Sequence, residues 1–199
     1  MRLDGAKSNV YKVKDVSNFI ETHDLGWSPK DFYLPSVSGK DVYLKETIGE
    51  RGLVVMFICN HCPYVIAVAN QIVADMNILK KFGINSIAIS SNDISKYPDD
   101  SFDKMKLFSK KYSFNFPYLF DETQEIAKEF KALCTPDFYG FNSSLELQYR
   151  GRLNDCGKNI PNDNTKKELV DAMIEVSKTG FGPKKQLASI GCSIKWKEL

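Results

Sequence analysis

The stretch from Gly52 to Ala67, Gly-Leu-Val-Val-Met-Phe-Ile-Cys-Asn-His-Cys-Pro-Tyr-Val-Ile-Ala, constrains this chain more than any other. Leu53 to Phe57 is a short run of Val and bulky apolar residues after a glycine, and it reads as a strand buried on both faces. The period then changes. Val65, Val68, Ala69, Ile72, Met76 and Leu79 share one face of a helix. Cys59 therefore stands where strand passes into helix. A helix N-terminus offers unpaired N–H groups and the positive end of its dipole, and both favour the thiolate.

The cysteine spacing narrows the chemistry. Two residues between Cys59 and Cys62 bring the sulfurs close enough to close a small disulfide ring. His61 lies inside that ring, and its cationic form favours the thiolate further; its plainer reading is a solvated loop histidine. The better the reduced thiolate is stabilised, the more oxidising the disulfide becomes. Two blander readings compete: half of a zinc site, or two buried structural thiols. Zinc usually takes four ligands, often from two such pairs. Here there is one pair, with 2 histidines in the whole chain. A CxxC beside a βαβ pattern favours redox chemistry.

The remaining composition excludes more than it selects. At 199 residues the chain suits one elaborated domain with a sizeable core. A net charge of +2, with scattered Lys and Arg, gives no reason to expect nucleic acid. Five cysteines is an odd number for a disulfide-stapled secreted fold. The start, Met-Arg-Leu-Asp-Gly-Ala-Lys, lacks the apolar core of a signal peptide, and no stretch approaches membrane-spanning length. A cytoplasmic location is expected by elimination, with no membrane partner.

In order, residues 1–30 read as a polar, irregular segment with a helical turn or two at Val16 to Ile20. Asp31–Pro35 and Val42–Leu44 flank Ser36-Val-Ser-Gly-Lys40, a β-hairpin signal. After the CxxC helix, Ile84 to Ser90 reads as a second buried strand, so strand, helix and strand form a right-handed parallel crossover. The loop from Ser90 to Asp100 lies at the carboxyl edge of that strand, where open α/β sheets tend to bind ligands. Phe102 to Tyr112 is an amphipathic helix. Phe116 to Phe120 is a short segment read as a strand that begins after its Pro, Asp121 caps a helix over Glu122 to Lys131, and Asn142-Ser-Ser turns a hairpin. Thr165 to Ser177 closes the domain.

This order, followed by Thr135-Pro136 before an antiparallel pair, resembles the thioredoxin-like fold: α/β, a mixed central sheet flanked by helices, with an N-terminal hairpin and a C-terminal tail. More narrowly, it is similar to the alkyl hydroperoxide reductase/thiol-specific antioxidant (redoxin, AhpC/TSA) branch, in a subgroup labelled thiol-disulfide isomerase or thioredoxin family protein. Three pieces carry the match: Phe57-Ile-Cys-Asn-His-Cys-Pro-Tyr64; Cys134-Thr-Pro-Asp-Phe138 with Phe141-Asn142 and Tyr149-Arg-Gly-Arg152; and Ile190-Gly-Cys-Ser-Ile-Lys-Trp196. The resemblance spans roughly residues 30–199 and implies residues 31–180 as the redoxin domain, with 181–199 as a docking tail.

The resemblance implies roles. Cys59, the more exposed thiol, would attack a substrate disulfide, and Cys62 would resolve it. Asn60 and His61 would support them. Pro136 would be cis and face the CxxC, presenting the Thr135 backbone to an extended substrate; without the resemblance it is equally an ordinary strand-entry proline. The departures are informative. Ile58 stands where thioredoxin has Trp, and Leu53–Ile58 holds no buried acid. Met56 precedes Cys59, and Cys59 precedes Cys62, where a peroxiredoxin needs Thr or Ser. Cys134 and Cys192 are candidate third thiols, the first also readable as a small buried hydrophobe, the second as part of a tail docked through Ile194 and Trp196. Cys156 reads as a loop thiol. Arg150, Arg152 and Asp155 read as a surface ion-pair cluster.

The expectation is a thiol-disulfide oxidoreductase acting on protein or small-molecule disulfides and thiols. It would be kept reduced by a thiol partner such as a thioredoxin or glutathione system, with no cofactor and no resident metal. A peroxide-reducing antioxidant enzyme is the alternative, and a redox-sensing or metal-binding module the second. The oligomeric state stays open, a dimer included.

Overall fold

The computed structural model describes residues 25–198, so the helical turn expected at Val16 to Ile20 lies outside the described residues. The strand read from the apolar run is β3 (Gly52–Phe57), buried at every position. Its alternate residues feed two cores. Val54 and Met56 face one cluster, while Leu53, Val55 and Phe57 face the other. This is the period of 2 that strand geometry imposes on a doubly covered sheet.

β7 (Asp137–Asn142) pairs antiparallel with β3 and, on its other side, with β8 (Leu147–Gly151). β4 (Ile84–Ser90) runs beside β3 in the same direction, because Arg51 N–H donates to the Gly83 carbonyl and Ile58 N–H to the Ile89 carbonyl, at 2.9 and 3.0 Å. β5 (Tyr118–Phe120) pairs parallel with β4. The hairpin of β1 (Tyr33–Pro35) and β2 (Asp41–Tyr43) abuts that edge, where Val37 N–H donates to the Tyr118 carbonyl at 3.0 Å. A one-residue register shift in the β7–β8 pair turns Leu147 and Tyr149 to opposite faces, one into each core.

One face is covered by α2 (Pro63–Lys80), α3 (Phe102–Lys111) and α5 (Glu168–Thr179), all of which contribute to the first core. α5 lies close on the sheet because position 140 is glycine: a Cβ there would sit 2.2 Å from Met173 Sδ. The other face is covered by α1 (Leu44–Thr47), α4 (Glu125–Glu129) and Trp27. There Phe130 sits edge-on to Trp27, Phe57 and Tyr139, with ring centroids 5.1–5.4 Å apart.

Helices α4 and α5 begin later than expected. Gln124 adopts a left-handed conformation (φ 64°), so α4 starts at Glu125 rather than Glu122. Asp121 is still tied to it, accepting the Ala127 N–H at 3.0 Å. α5 starts at Glu168 rather than Thr165, because Thr165 is held in a turn: its hydroxyl accepts the Asn162 N–H at 2.8 Å.

The Arg150–Arg152–Asp155 surface cluster also does not form as expected. Arg150 is buried over the Tyr139 ring and donates to the Lys131 carbonyl, while Arg152 makes a two-pronged pair with Glu168. Arg150 lies on the Tyr139 side of β8, whereas Arg152, one residue past the end of β8, turns to Glu168 of α5. Among the described residues, no helix is long and apolar enough to cross a membrane.

Candidate active site

The helix of the motif begins one residue after the second cysteine. Cys62 is the N-cap of α2 and Pro63 its first residue; Pro is favoured there because its missing N–H would have no partner anyway. Cys59, Asn60 and His61 form the connecting loop. The helix end expected at Cys59 is therefore at Cys62. Nor is Cys59 an exposed thiol: it is 1 % accessible and Cys62 0 %.

The two thiols act on each other's acidity, one shifted up and the other down. Of the two, Cys62 is the one drawn down. Its pKa is pulled down to about 5 by the S–H donated from Cys59, against burial, with further help from the Val65 N–H and from the thiol and N–H of Cys192. The Thr135 carbonyl, 3.1 Å from Cys62 Sγ, takes the S–H in the fully protonated pair and opposes the charge. Several converging donors outweigh that one acceptor. Cys59 is pushed well up by its bond to Cys62, by burial and by the nearby Asp100 charge, and its sulfur lies 3.3 Å from the Thr135 hydroxyl.

The missing acid of the strand has a substitute from another element. Asp100, on the one-turn helix Pro98–Asp100 after β4, is fully buried beneath the motif loop. Its Oδ1 accepts the N–H of Asn60 at 2.8 Å and of His61 at 3.4 Å. Its Oδ2 accepts the Asn92 amide at 2.7 Å and lies 2.6 Å from His61 Nδ1. Burial pushes Asp100 up, but the bonds from His61 and Asn92 more than cancel this, so it stays ionised below the usual range. The bond to Asp100 in turn raises His61, against partial burial. Tyr97 stacks on the imidazole at 5.8 Å, and the Tyr118 hydroxyl donates to Asn60 Oδ1 at 3.0 Å. Asp100 was not singled out as a candidate from sequence. The only signal was its place in the loop at the carboxyl edge of β4.

Thr135–Pro136 is a cis peptide, and Thr135 closes the site opposite the motif. Thr135 belongs to β6 (Cys134–Thr135), which pairs antiparallel with β9 (Cys192–Ser193) of the tail. Directly opposed residues share a face, so Cys192 points with Thr135 towards the motif, while Cys134 points away. Cys134 is pushed up by burial. Cys156 is remote, with its sulfur 3.1 Å from the Thr165 hydroxyl. Of the two tail side chains expected to dock, Ile194 is buried and Trp196 is 41 % exposed.

Cys59 Sγ, a ring nitrogen of His61 and an Asp100 oxygen lie within 4.8 Å of one another, a set that could contact a metal. Both Asp100 oxygens already hold hydrogen bonds, so a metal would have to displace them.

The AhpC/TSA family model matches residues 25–153. The chain belongs to the AhpC/TSA family. Members of that family are thiol-based redox enzymes. An uncharacterized conserved protein from Geobacillus kaustophilus is 41% identical, with 89% of this chain and 94% of that chain covered and a TM-score of 0.80. A hypothetical protein from Sinorhizobium meliloti 1021 is 32% identical over 89% of this chain and 97% of that chain, also at 0.80. Peroxidoxin BcpB from Mycobacterium tuberculosis, at 14% identity over 78% of this chain and 96% of that chain and a TM-score of 0.58, shares the fold alone. No curated protein matches this AhpC/TSA chain.

Proposed function

We propose that this AhpC/TSA protein is a thiol-disulfide oxidoreductase whose working couple is Cys59 and Cys62. The observation that carries this reading is geometric: Cys59 and Cys62 meet at the N-cap of α2, each sulfur within 3.3 Å of a Thr135 oxygen, with Cys62 drawn down to about 5. A thiol that is mostly thiolate at neutral pH is the nucleophile of disulfide exchange. Cys62 attacks a substrate disulfide and forms a mixed disulfide, releasing one substrate thiolate. Cys59 then attacks Cys62 Sγ, closing the Cys59–Cys62 bridge and releasing the second. Two electrons pass from the couple to the substrate; one proton comes from the Cys59 thiol and the second from His61 or water.

His61, raised by the Asp100 carboxylate 2.6 Å away, favours the Cys62 charge when protonated and can then give a proton to a leaving thiolate. Asn60 is held by Tyr118 and Asp100 and fixes the loop between the sulfurs. Thr135 presents its hydroxyl to Cys59, and Pro136 removes an N–H donor beside the sulfurs. Protein or small-molecule disulfides are the substrate class. A thioredoxin- or glutathione-type thiol system would return the couple to its reduced form. The five free thiols suit a reducing, cytoplasmic setting. Reduction of insulin disulfides in the presence of a dithiol reductant tests the reading. Activity is expected in the wild type and should be lost in Cys62→Ser; full activity in Cys62→Ser would refute it.

A further inference from the structure

The tail does more than end the chain. From Gly182 to Lys197 it crosses the site from the β8 edge to the loop after β4. Leu187 accepts the Arg152 N–H at 3.0 Å, and the Gln186 amide donates to the Gln148 carbonyl at 2.9 Å. Ser189 donates to Asp137 at 2.7 Å. Beyond the site, Ile194 N–H donates to the Leu133 carbonyl, and Lys195 N–H donates to Asn92, the residue that also holds Asp100. Lys195 lies over Tyr97, which stacks on His61. The segment between these anchors runs over the two buried sulfurs.

The approach at its centre is close. A Cβ on Gly191 would lie 2.0 Å from the Thr135 carbonyl oxygen. Only glycine lets the tail backbone lie this near to β6. The next residue, Cys192, is then held opposite Thr135 in the β6–β9 ladder, on the face that carries Cys59 and Cys62. Its side chain packs in the same core cluster as both. An extended peptide thus already lies along the β6 edge, with a cysteine on the face of the motif sulfurs, and that peptide belongs to the chain itself.

We propose that Cys192 is a third redox thiol, which takes over the disulfide from Cys59 by forming a Cys62–Cys192 bridge. The step rests on the reading that Cys59 and Cys62 exchange with a substrate disulfide. Once that exchange has produced the Cys59–Cys62 bond, Cys192 sulfur attacks Cys62 Sγ. The Cys62–Cys192 bond forms, the Cys59–Cys62 bond breaks, and the Cys192 proton passes to the departing Cys59 sulfur. No electrons are gained or lost, so no further oxidant is needed. The product clamps the tail to the site and leaves Cys59 as a thiol. An external reducing thiol must then attack the Cys62–Cys192 bond before another turnover.

The test oxidises the full reduced chain with oxidised glutathione, blocks remaining thiols with N-ethylmaleimide, and digests without reduction. Cleavage after Arg51, Lys80, Lys185 and Lys195 puts Cys59 and Cys62 on one peptide and Cys192 on another. A Cys62–Cys192 bond therefore joins two peptides, while Cys59–Cys62 is a loop within one. The joined pair is expected in the wild type, and in Cys59→Ser it should be the bridge that forms. Cys192 recovered fully alkylated in either chain would overturn the proposal; the wild type decides alone if Cys59→Ser does not fold. The Cys192→Ser chain separates the two claims. If it closes Cys59–Cys62 while Cys192 stays free in the wild type, only the third thiol falls. If it closes no bridge, the underlying couple falls as well.

Discussion

Asp100 Oδ2 sits 2.6 Å from His61 Nδ1, and the same carboxylate holds the backbone of the motif loop through the Asn60 N–H. One buried acid thus ties the charge state of the loop histidine to the shape of the loop. Asp100→Ala leaves the half-buried His61 ring and two backbone donors without their partner, so it should cost about 3–5 kcal/mol of stability, read by denaturant unfolding. In the milder Asp100→Asn, the NMR-titrated pKa of His61 should fall.

The pH sign of that pair follows from the direction of the His61 shift. His61 is raised above its unfolded value of about 6.5. Its contribution is therefore fully present below about pH 6.5 and is lost as pH rises through the folded value. The stability difference between wild type and His61→Asn should be largest in mild acid and shrink towards alkaline pH. A difference that grows with pH would contradict the pairing.

Cys62 has the opposite sign. Its folded value of about 5 lies below the unfolded thiol value of about 8.5. Its contribution to stability is present above about pH 8.5 and disappears as pH falls through the folded value. Ultraviolet thiolate absorbance of the reduced protein should show a transition in the acid range that is absent in Cys62→Ser. In Cys59→Ala it should move upward, because the donated S–H is gone.

Gly191→Ala tests how the tail shields the site. The added methyl meets the Thr135 carbonyl, which is backbone and has no alternative rotamer. The tail should lift, and alkylation of Cys59 and Cys62 should accelerate about tenfold for every 1.4 kcal/mol of docking lost. An unchanged alkylation rate would mean the sulfurs are reached without moving the tail.

Phe130 sits at the centre of the second core, where it meets Trp27, Phe57 and Tyr139. Phe130→Ala should cost about 3–5 kcal/mol in chemical denaturation.

Much of this was legible in the residues alone. β3, the helix after it and β4 could be read because a doubly buried strand and a one-sided helix leave different periods in the sequence. The partnership of Asp100 with His61 was not legible, since 39 positions separate them and the acid lies in a polar loop like any other. α2 starts one turn later than the motif spacing suggests, with Asn60 and His61 held in the preceding loop by Asp100. β9 is two residues long and carries no pattern of its own; it exists because Gly191 permits close pairing with β6.

The most direct test of the central claim is a redox titration of Cys192→Ser in buffers of reduced and oxidised glutathione, quenched with N-ethylmaleimide and mapped by mass. We predict a single two-electron transition in which Cys59 and Cys62 lose their alkylation together, centred at a potential less negative than the roughly −270 mV of a thioredoxin. Both sulfurs remaining alkylated across the whole range, with only glutathione adducts appearing, would contradict it.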